Sequence, residues 1–354
     1  MSTHEKHSPL EELRKAIAAF VGENPPHVAI ILHKNPDPDC IGSALGVKKL
    51  LSSFNPLIKC SIVYSGEISH PQNKTMVNIL NLSLIRSEDI DLKTFADFYM
   101  TVDFLPEREP FEGIKFIMAI DHHKGDSKKA QIKDIRQVGA TATIVWDYLT
   151  QCNIVLDKTN AEDADIATAL FIGIKTDTQD LVSDNTTDLD FQAYRGLLNS
   201  IDQRKMQSID RYPIPNYHFE LRKRLDQEGN TLVDKGVFIG GIGYITPSKR
   251  DALPTIADER ARVEGIDVAF VYAIVGDHID VSVRCNSLAI DVNTLCQNLF
   301  GKNCGGGKMG AGAARVAMGF LSIEDNEEEV QEKMWVAVRE KMKSRILEIM
   351  SEYR

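Results

Sequence analysis

Apolar residues recur at helical spacing near the start of the chain, where Leu10, Leu13, Ile17 and Phe20 mark one face of a helix predicted from Pro9 to about Val21. Pro25 and Pro26 stop it, because proline lacks an amide donor and clashes with the preceding turn. The next run, His27-Val-Ala-Ile-Ile-Leu-His33, is almost continuously apolar and β-branched. That pattern suits a strand buried on both faces, as in a parallel sheet. Lys59 to Tyr64, Phe98 to Val102 and Lys115 to Ile120 read as three further strands, with helical stretches between most of them. Alternating strand and helix predicts a parallel α/β sheet with ligands at the carboxyl ends of its strands. The polar residues just after these runs are therefore the informative ones: His33 through Asp39, Asp103, and Asp121-His122-His123.

Further along, Gly139-Ala-Thr141-Ala-Thr143 precedes Ile144-Val-Trp146 and marks the start of a helix, with Thr141 either its cap or a substrate contact. Ala161 to Lys175 reads as another helix, ending in Thr176-Asp177-Thr178. The chain then turns polar from Ser208 to Asn230, with Pro213, Pro215 and the charged stretch Glu220 to Glu228. New strands are expected near Gly236, over Val268 to Val275 and Ile279 to Arg284, and again around Val316. Val330, Met334, Val338 and Met342 are spaced as one face of a terminal helix within Glu324 to Arg354. The fold class expected is α/β in two domains. Residues 1–207 form an N-terminal parallel-sheet domain, 208–230 a linker and 231–354 a smaller C-terminal mixed-sheet domain, with the active cleft between them.

Composition narrows the function. The length of 354 residues suits two domains, and 43% apolar with 26% charged residues is ordinary for a globular protein. A net charge of −10 argues against coating long nucleic acid through a basic face, though a small anion remains acceptable in a metal-bearing cleft. The six cysteines include no C-x-x-C pair and no zinc-finger spacing, so they are expected as reduced thiols in a cytoplasmic protein. No apolar run reaches the roughly 20 residues that cross a bilayer, and Met1 to Leu10 lacks the apolar core of a secretion signal.

The chemistry is concentrated in His33-Lys-Asn-Pro-Asp37-Pro-Asp39, Asp103, Asp121-His122-His123 and Asp177. Each set follows an apolar segment, so the fold can bring all four to one sheet edge. Two aspartates at i, i+2 in a proline-containing loop cannot both be buried without a cation. The mixed oxygen and imidazole set suits Mn(II) or Fe(II) better than the all-oxygen shell of Ca²⁺ or a thiolate-preferring metal.

These four sets resemble the motifs of the DHH phosphoesterase superfamily. The second half resembles the DHH-associated domain of nanoRNases, single-strand exonucleases and cyclic-dinucleotide phosphodiesterases, through Val281-Ser-Val-Arg284 and Cys304-Gly-Gly-Gly-Lys308-Met-Gly-Ala-Gly-Ala313. The resemblance spans about Val28 to Phe320. It implies one ion held by His33, Asp37 and Asp103, and a second by Asp39, Asp103, His122 and Asp177, with Asp103 bridging. It implies also that Asp121 orients an imidazole and that His123 faces the scissile phosphate. Catalytic roles thus fall to His123, Asp103 and Asp121. The cofactor expected is a pair of divalent ions, Mn²⁺ first and Mg²⁺ or Fe²⁺ as alternatives, acidifying a bridging water from about 3.5–4 Å apart. Substrate contacts are expected from Ser282, from Arg284 as a bidentate grip on a terminal phosphate, and from the amides of Gly305, Gly306 and Gly307. Lys308 stands where the nanoRNase-like pattern has histidine, and Met309 and Gly310 depart from it too. Lysine is a flexible point charge that cannot exchange protons near neutrality as imidazole does, so the substrate is expected to differ from that of close relatives.

The function implied is hydrolysis of short 5′-phosphorylated oligoribonucleotides or linear dinucleotides such as pGpG to mononucleotides, with 3′-dephosphorylation of pAp as a second activity. Exonucleolytic polarity stays open. The partners expected are short RNA or dinucleotides and a second copy of the chain, with no membrane. The alternatives are a cyclic-dinucleotide phosphodiesterase, an inorganic pyro- or polyphosphatase, and a catalytically silent nucleotide-binding module.

Overall fold

The computed structural model describes residues 8–19, 25–308, 310–321 and 328–353. Contacts divide the chain into two units, Met1–Pro213 and Ile214–Arg354. The boundary lies inside the stretch 208–230 expected as a linker. That stretch is largely helical instead: it takes in the end of α7 (Gln203–Asp210) and α8 (Asn216–Leu225), whose Leu221 and Leu225 are buried in a core of the second unit.

In the first unit the chain runs α1 (Pro9–Ala18), β1 (His27–Ile31), α2 (Pro38–Phe54), β2 (Lys59–Tyr64), α3 (Pro71–Ile79), β3 (Leu84–Arg86), β4 (Phe98–Val102), β5 (Phe116–Asp121), β6 (Ala130–Ile135), α4 (Thr141–Gln151), α5 (Ala161–Asp177) and α6 (Asp188–Leu197) before α7. The strands form one sheet in the order β3-β2-β1-β4-β5-β6, with every pair parallel. From β1 the chain winds outward through β2 and β3, then returns to lay β4 on the other side of β1. A crevice opens at such a reversal, beyond the carboxyl ends of the two strands. His33 follows β1 and Asp103 follows β4, so both motifs issue into it.

Alternate residues of the sheet are buried on each face. Val28, Ile30, Met100, Met118 and Ile120 belong to the core shared with α1, α2, α4 and α5, while Ala29, Ile31, Tyr99 and Ala119 pack with Phe104, Leu105 and Phe116. Two glycines let α2 and α5 approach at backbone distance. A Cβ on Gly42 would lie 2.6 Å from the Ala169 carbonyl oxygen, and one on Gly173 would lie 2.9 Å from Asp39 Cα. That approach draws Asp177, one turn beyond Gly173, toward Asp39.

The second unit adds β7 (Thr231–Asp234), β8 (Val237–Ile245), α9 (Ala252–Ala261), β9 (Val268–Val275), β10 (His278–Cys285), α10 (Val292–Phe300), β11 (Gly305–Lys308), β12 (Ala311–Ala317) and α11 (Glu328–Met350) to α8. Its sheet, β11-β12-β10-β9-β8-β7, is mixed: β8 and β9 are parallel and the other pairs antiparallel. α11 buries Trp335, Val338, Met342, Ile346 and Ile349, while Val330, expected on its inner face, is exposed. Phe20, Val21, Met309 and residues 324–327, for which the sequence carries expectations, lie outside the described residues.

Candidate metal centre

His33, Asp37, Asp39, Asp103, Asp121, His122, His123 and Asp177 are drawn into one cluster from β1, α2, β4, β5, α5 and the loops after the strands. Asp37 is the N-cap of α2 and accepts from the Cys40 amide at 3.0 Å. His33 Nε2 lies 3.6 Å from Asp37 Oδ1 and 3.4 Å from Asp103 Oδ2. On the other side of Asp103, His122 Nε2 lies 3.4 Å from its Oδ1 and 3.3 Å from Asp177 Oδ2. Asp103 therefore stands among three imidazoles, with His33 at Oδ2 and both His122 and, at 3.7 Å, His123 at Oδ1. Its backbone has φ +66°, a left-handed conformation that aspartate tolerates better than most side chains.

The rings are oriented by their other nitrogens. His33 Nδ1 contacts the Lys34 carbonyl at 3.0 Å, and His122 Nδ1 contacts that of Val138 at 3.1 Å. A donor bond at Nδ1 leaves the Nε2 lone pair facing the cluster, the arrangement of a metal-ligating histidine. Asp121, with no exposed surface, accepts from the backbone amide of His123 at 3.0 Å and pairs with its Nδ1 at 2.8 Å. The imidazole expected to be oriented by Asp121 is thus that of His123, which is itself 30% exposed on its side chain.

Asp39 is fully buried, and its two oxygens accept the amides of Thr141 and Ala142, each at 2.7 Å. These amides open α4, so the carboxylate on α2 satisfies two of the donors left over at the N-terminus of another helix. Thr141 is accordingly not the cap: it is the first helical residue, and its hydroxyl donates to Asp103 Oδ1 at 3.0 Å. Asp177 lies in the last turn of α5, which ends in Thr176-Asp177-Thr178 as expected.

Crowded carboxylates shape the electrostatics. Burial, then the charges of Asp103 and Asp177, push the Asp39 carboxyl well above the usual range, and burial raises Asp103 as well. Burial opposes a charge on His122, but the adjacent carboxylate of Asp177 and the charges of Asp39 and Asp103 outweigh it and raise its pKa to about 10. Without a cation the cluster therefore holds protons. His122 Nε2 is buried and, despite facing two carboxylates, lacks an aligned hydrogen-bond partner. Oxygen and imidazole donors converging on such an orphaned nitrogen fit a divalent metal centre. Three donor triads lie close enough to share an ion: His33–Cys40–Asp103, Asp103–His122–His123 and Asp39–His122–Asp177. Cys40 was missed in the sequence because it carries no motif of its own; the signal was its place beside Asp39 in the first turn of α2.

The candidate substrate residues of the second unit surround a cavity of about 560 Å³, lined by Ser282, Arg284, Gly306, Gly307, Lys308 and residues of α9 and β12. The glycine run is an edge strand rather than an open loop. The Gly305 amide donates to the Gly301 carbonyl at 3.0 Å and that of Gly307 to Asn293 Oδ1 at 3.2 Å, so neither points to a ligand. The glycines are needed for close approach: a Cβ on Gly305 would lie 2.5 Å from the Cys296 carbonyl oxygen in α10. Gly305 itself does not line the cavity. Arg284 is engaged by Asp258, at 2.5 and 3.3 Å. Arg250, not foreseen, lies on the cavity wall and pairs with Asp280.

Residues 27–174 match the model of the DHH family, N-terminal domain. The N-terminal unit belongs to the DHH family. Beyond the DHH domain the likeness extends into the second unit: an uncharacterised protein of Methanocaldococcus jannaschii is 34% identical over 315 residues, covering 88% of this chain and 63% of that protein's length. A manganese-dependent inorganic pyrophosphatase of the same organism is 25% identical over 259 residues, 68% of this chain and 80% of the pyrophosphatase. Among solved structures, an exopolyphosphatase-related protein from Bacteroides fragilis superposes with a TM-score of 0.66 at 15% identity, covering 97% of this chain and all of the other, a likeness of fold. No helix among the described residues is long and apolar enough to cross a membrane.

Proposed function

We propose that this chain hydrolyses short 5′-phosphorylated oligoribonucleotides and linear dinucleotides such as pGpG to mononucleotides, using two divalent ions with Mn²⁺ foremost. The observation that carries the substrate class is the cavity of the C-terminal unit. At about 560 Å³, with Gly306, Ala311, Gly312 and Ala313 in its lining and Arg250, Arg284 and Lys308 as its cations, it has room for a nucleotide beside a phosphate. Inorganic pyrophosphate would leave most of it unfilled.

The divalent ions would be held by His33, Asp37, Asp39, Asp103, His122 and Asp177, and when bound they supply Lewis acidity and an activated water. The remaining residues divide the work. Asp121 fixes the proton on His123 Nδ1 and stabilises the ring when charged. Nε2 of the same ring holds a proton for the departing alkoxide. Thr141 fixes the Asp103 carboxylate through Oδ1. In the C-terminal unit Ser282 and Lys308 contribute a hydrogen bond and a charge to the nucleotide, and Arg284 serves a phosphate to the extent that it exchanges Asp258 for it.

A pyrophosphatase reading has support from the similarity to the manganese-dependent inorganic pyrophosphatase. One panel decides between them: Mn²⁺-dependent hydrolysis of pGpG, pApA, a short RNA, cyclic di-AMP, cyclic di-GMP, pAp and pyrophosphate, with products separated by chromatography. Rapid conversion of the linear dinucleotides with the cyclic forms intact is the expected result. Preference for pyrophosphate or a cyclic dinucleotide would leave the metal centre standing and overturn the substrate. Metal binding without any turnover would favour a nucleotide-binding module.

A further inference from the structure

Cys40 lies in the first turn of α2 directly after Asp39 and has no exposed surface. Its thiol faces the carbonyl of Val102, the last residue of β4, at 3.5 Å. Its Sγ, one ring nitrogen of His33 and one carboxylate oxygen of Asp103 all lie within 4.8 Å of one another. Donors sharing one ion at about 2.0–2.3 Å each come close to this separation. A second observation on the same cluster points to a cation. His122 Nε2, in a residue only 7% exposed, faces Asp103 Oδ1 at 3.4 Å without an aligned hydrogen bond. No other cysteine among the described residues falls in such a donor group.

We propose that Cys40 Sγ is a donor to the ion held by His33, Asp37 and Asp103 and biases that position toward Fe(II), Co(II) or Zn(II) over Mg²⁺, an inference that rests on the two-metal reading of the centre. A thiolate is a soft ligand among hard carboxylates, and it gains most from ions later in the Mn–Fe–Co series and from zinc. Binding forms the sulfur–metal bond and breaks S–H, the proton passing to solvent. The carboxylates alone would favour the harder ions, so this one side chain sets the two positions of the centre apart.

The test is titration of the metal-stripped full chain with Co(II), followed by absorption. The wild type is expected to show a near-ultraviolet thiolate-to-cobalt charge-transfer band that saturates with a single equivalent. The band should vanish in Cys40→Ser and Cys40→Ala and persist in a chain with Cys60, Cys152 and Cys304 changed to serine. In competition, the wild type should retain Zn(II) against Mg²⁺ about tenfold or more better than Cys40→Ser. Visible d–d absorption without the charge-transfer band in the wild type overturns the proposal, as does a band that survives in both Cys40 variants. If both variants misfold, the wild type and the triple-serine chain decide by whether the band is present in each. Absence of any cobalt absorption would remove the metal centre itself, and the role of Cys40 with it.

Discussion

Asp39 in the DHH domain and Arg284 in the C-terminal unit are both charged side chains tied to partners, but the ties differ in kind. Asp39 is held by backbone amides of another helix, at 2.7 Å each, and no part of it reaches solvent. Arg284 is held by the Asp258 carboxylate, itself about half exposed. Donors fixed in advance need no reorganisation when charge develops on a reacting phosphate. A cation held by an exposed carboxylate can change partners, because such pairs contribute only about 0–1 kcal/mol. The metal cluster is therefore built for one geometry and the cavity for a range of occupants. Substitutions in the first should abolish chemistry; in the second they should regrade substrates.

The sharpest way to break this contrast is Asp103→Asn. Loss of metal-ion stabilisation worth several kcal/mol, at about 1.36 kcal/mol per tenfold, predicts a drop in hydrolysis of roughly a thousandfold or more, with reduced metal content by elemental analysis. Near-normal hydrolysis would end the two-metal scheme. His123→Gln should lower kcat by about 10²–10⁴-fold while leaving bound metal unchanged, because its ring assists the leaving group. A smaller effect is expected of pH on Mn²⁺ binding. The protons on Asp39, Asp103 and His122 must leave before the ion enters, so affinity should climb with pH up to about 10, the raised value for His122, with protons released in calorimetry. An affinity independent of pH would place the ion elsewhere. Gly173→Ala should cost about 1–3 kcal/mol of stability and weaken Mn²⁺ binding, since its Cβ would press on Asp39 Cα. Thermal unfolding and a metal titration read the two effects separately. Lys308→His is the mildest change and tests the other half of the contrast: kcat/KM should shift among substrates by a few-fold without loss of turnover. No effect on any substrate would show that Lys308 does not contact them.

Much of the DHH domain was legible because its strands are buried on both faces, so their apolar runs stand out from the polar loops at their ends. β3 and β6 were not foreseen: Leu84–Arg86 is too short to show a pattern, and Ala130–Ile135, at the sheet edge, is half polar, with Lys133 and Asp134 side by side breaking the alternation. The cluster residues could be named because they carry motifs, but their partners could not. The amides that hold Asp39 lie about a hundred residues away and have no side-chain signature. The edge-strand role of the glycine run was not foreseen for a related reason. Glycines that permit a helix to lie on a strand and glycines that open a loop look the same in sequence, and only the position of Cys296 distinguishes them.

The carboxylate of Asp39 joins the first turns of α2 and α4, and that junction can be observed from outside the metal centre. An ion taking up the Asp39 oxygens stiffens the segment that the same oxygens hold. The amide protons of Thr141 and Ala142 should therefore exchange with deuterium more slowly once the ion is bound, at two sites that touch no metal. Those two amides would serve as a reporter of occupancy in any solution where the ion itself is spectroscopically silent.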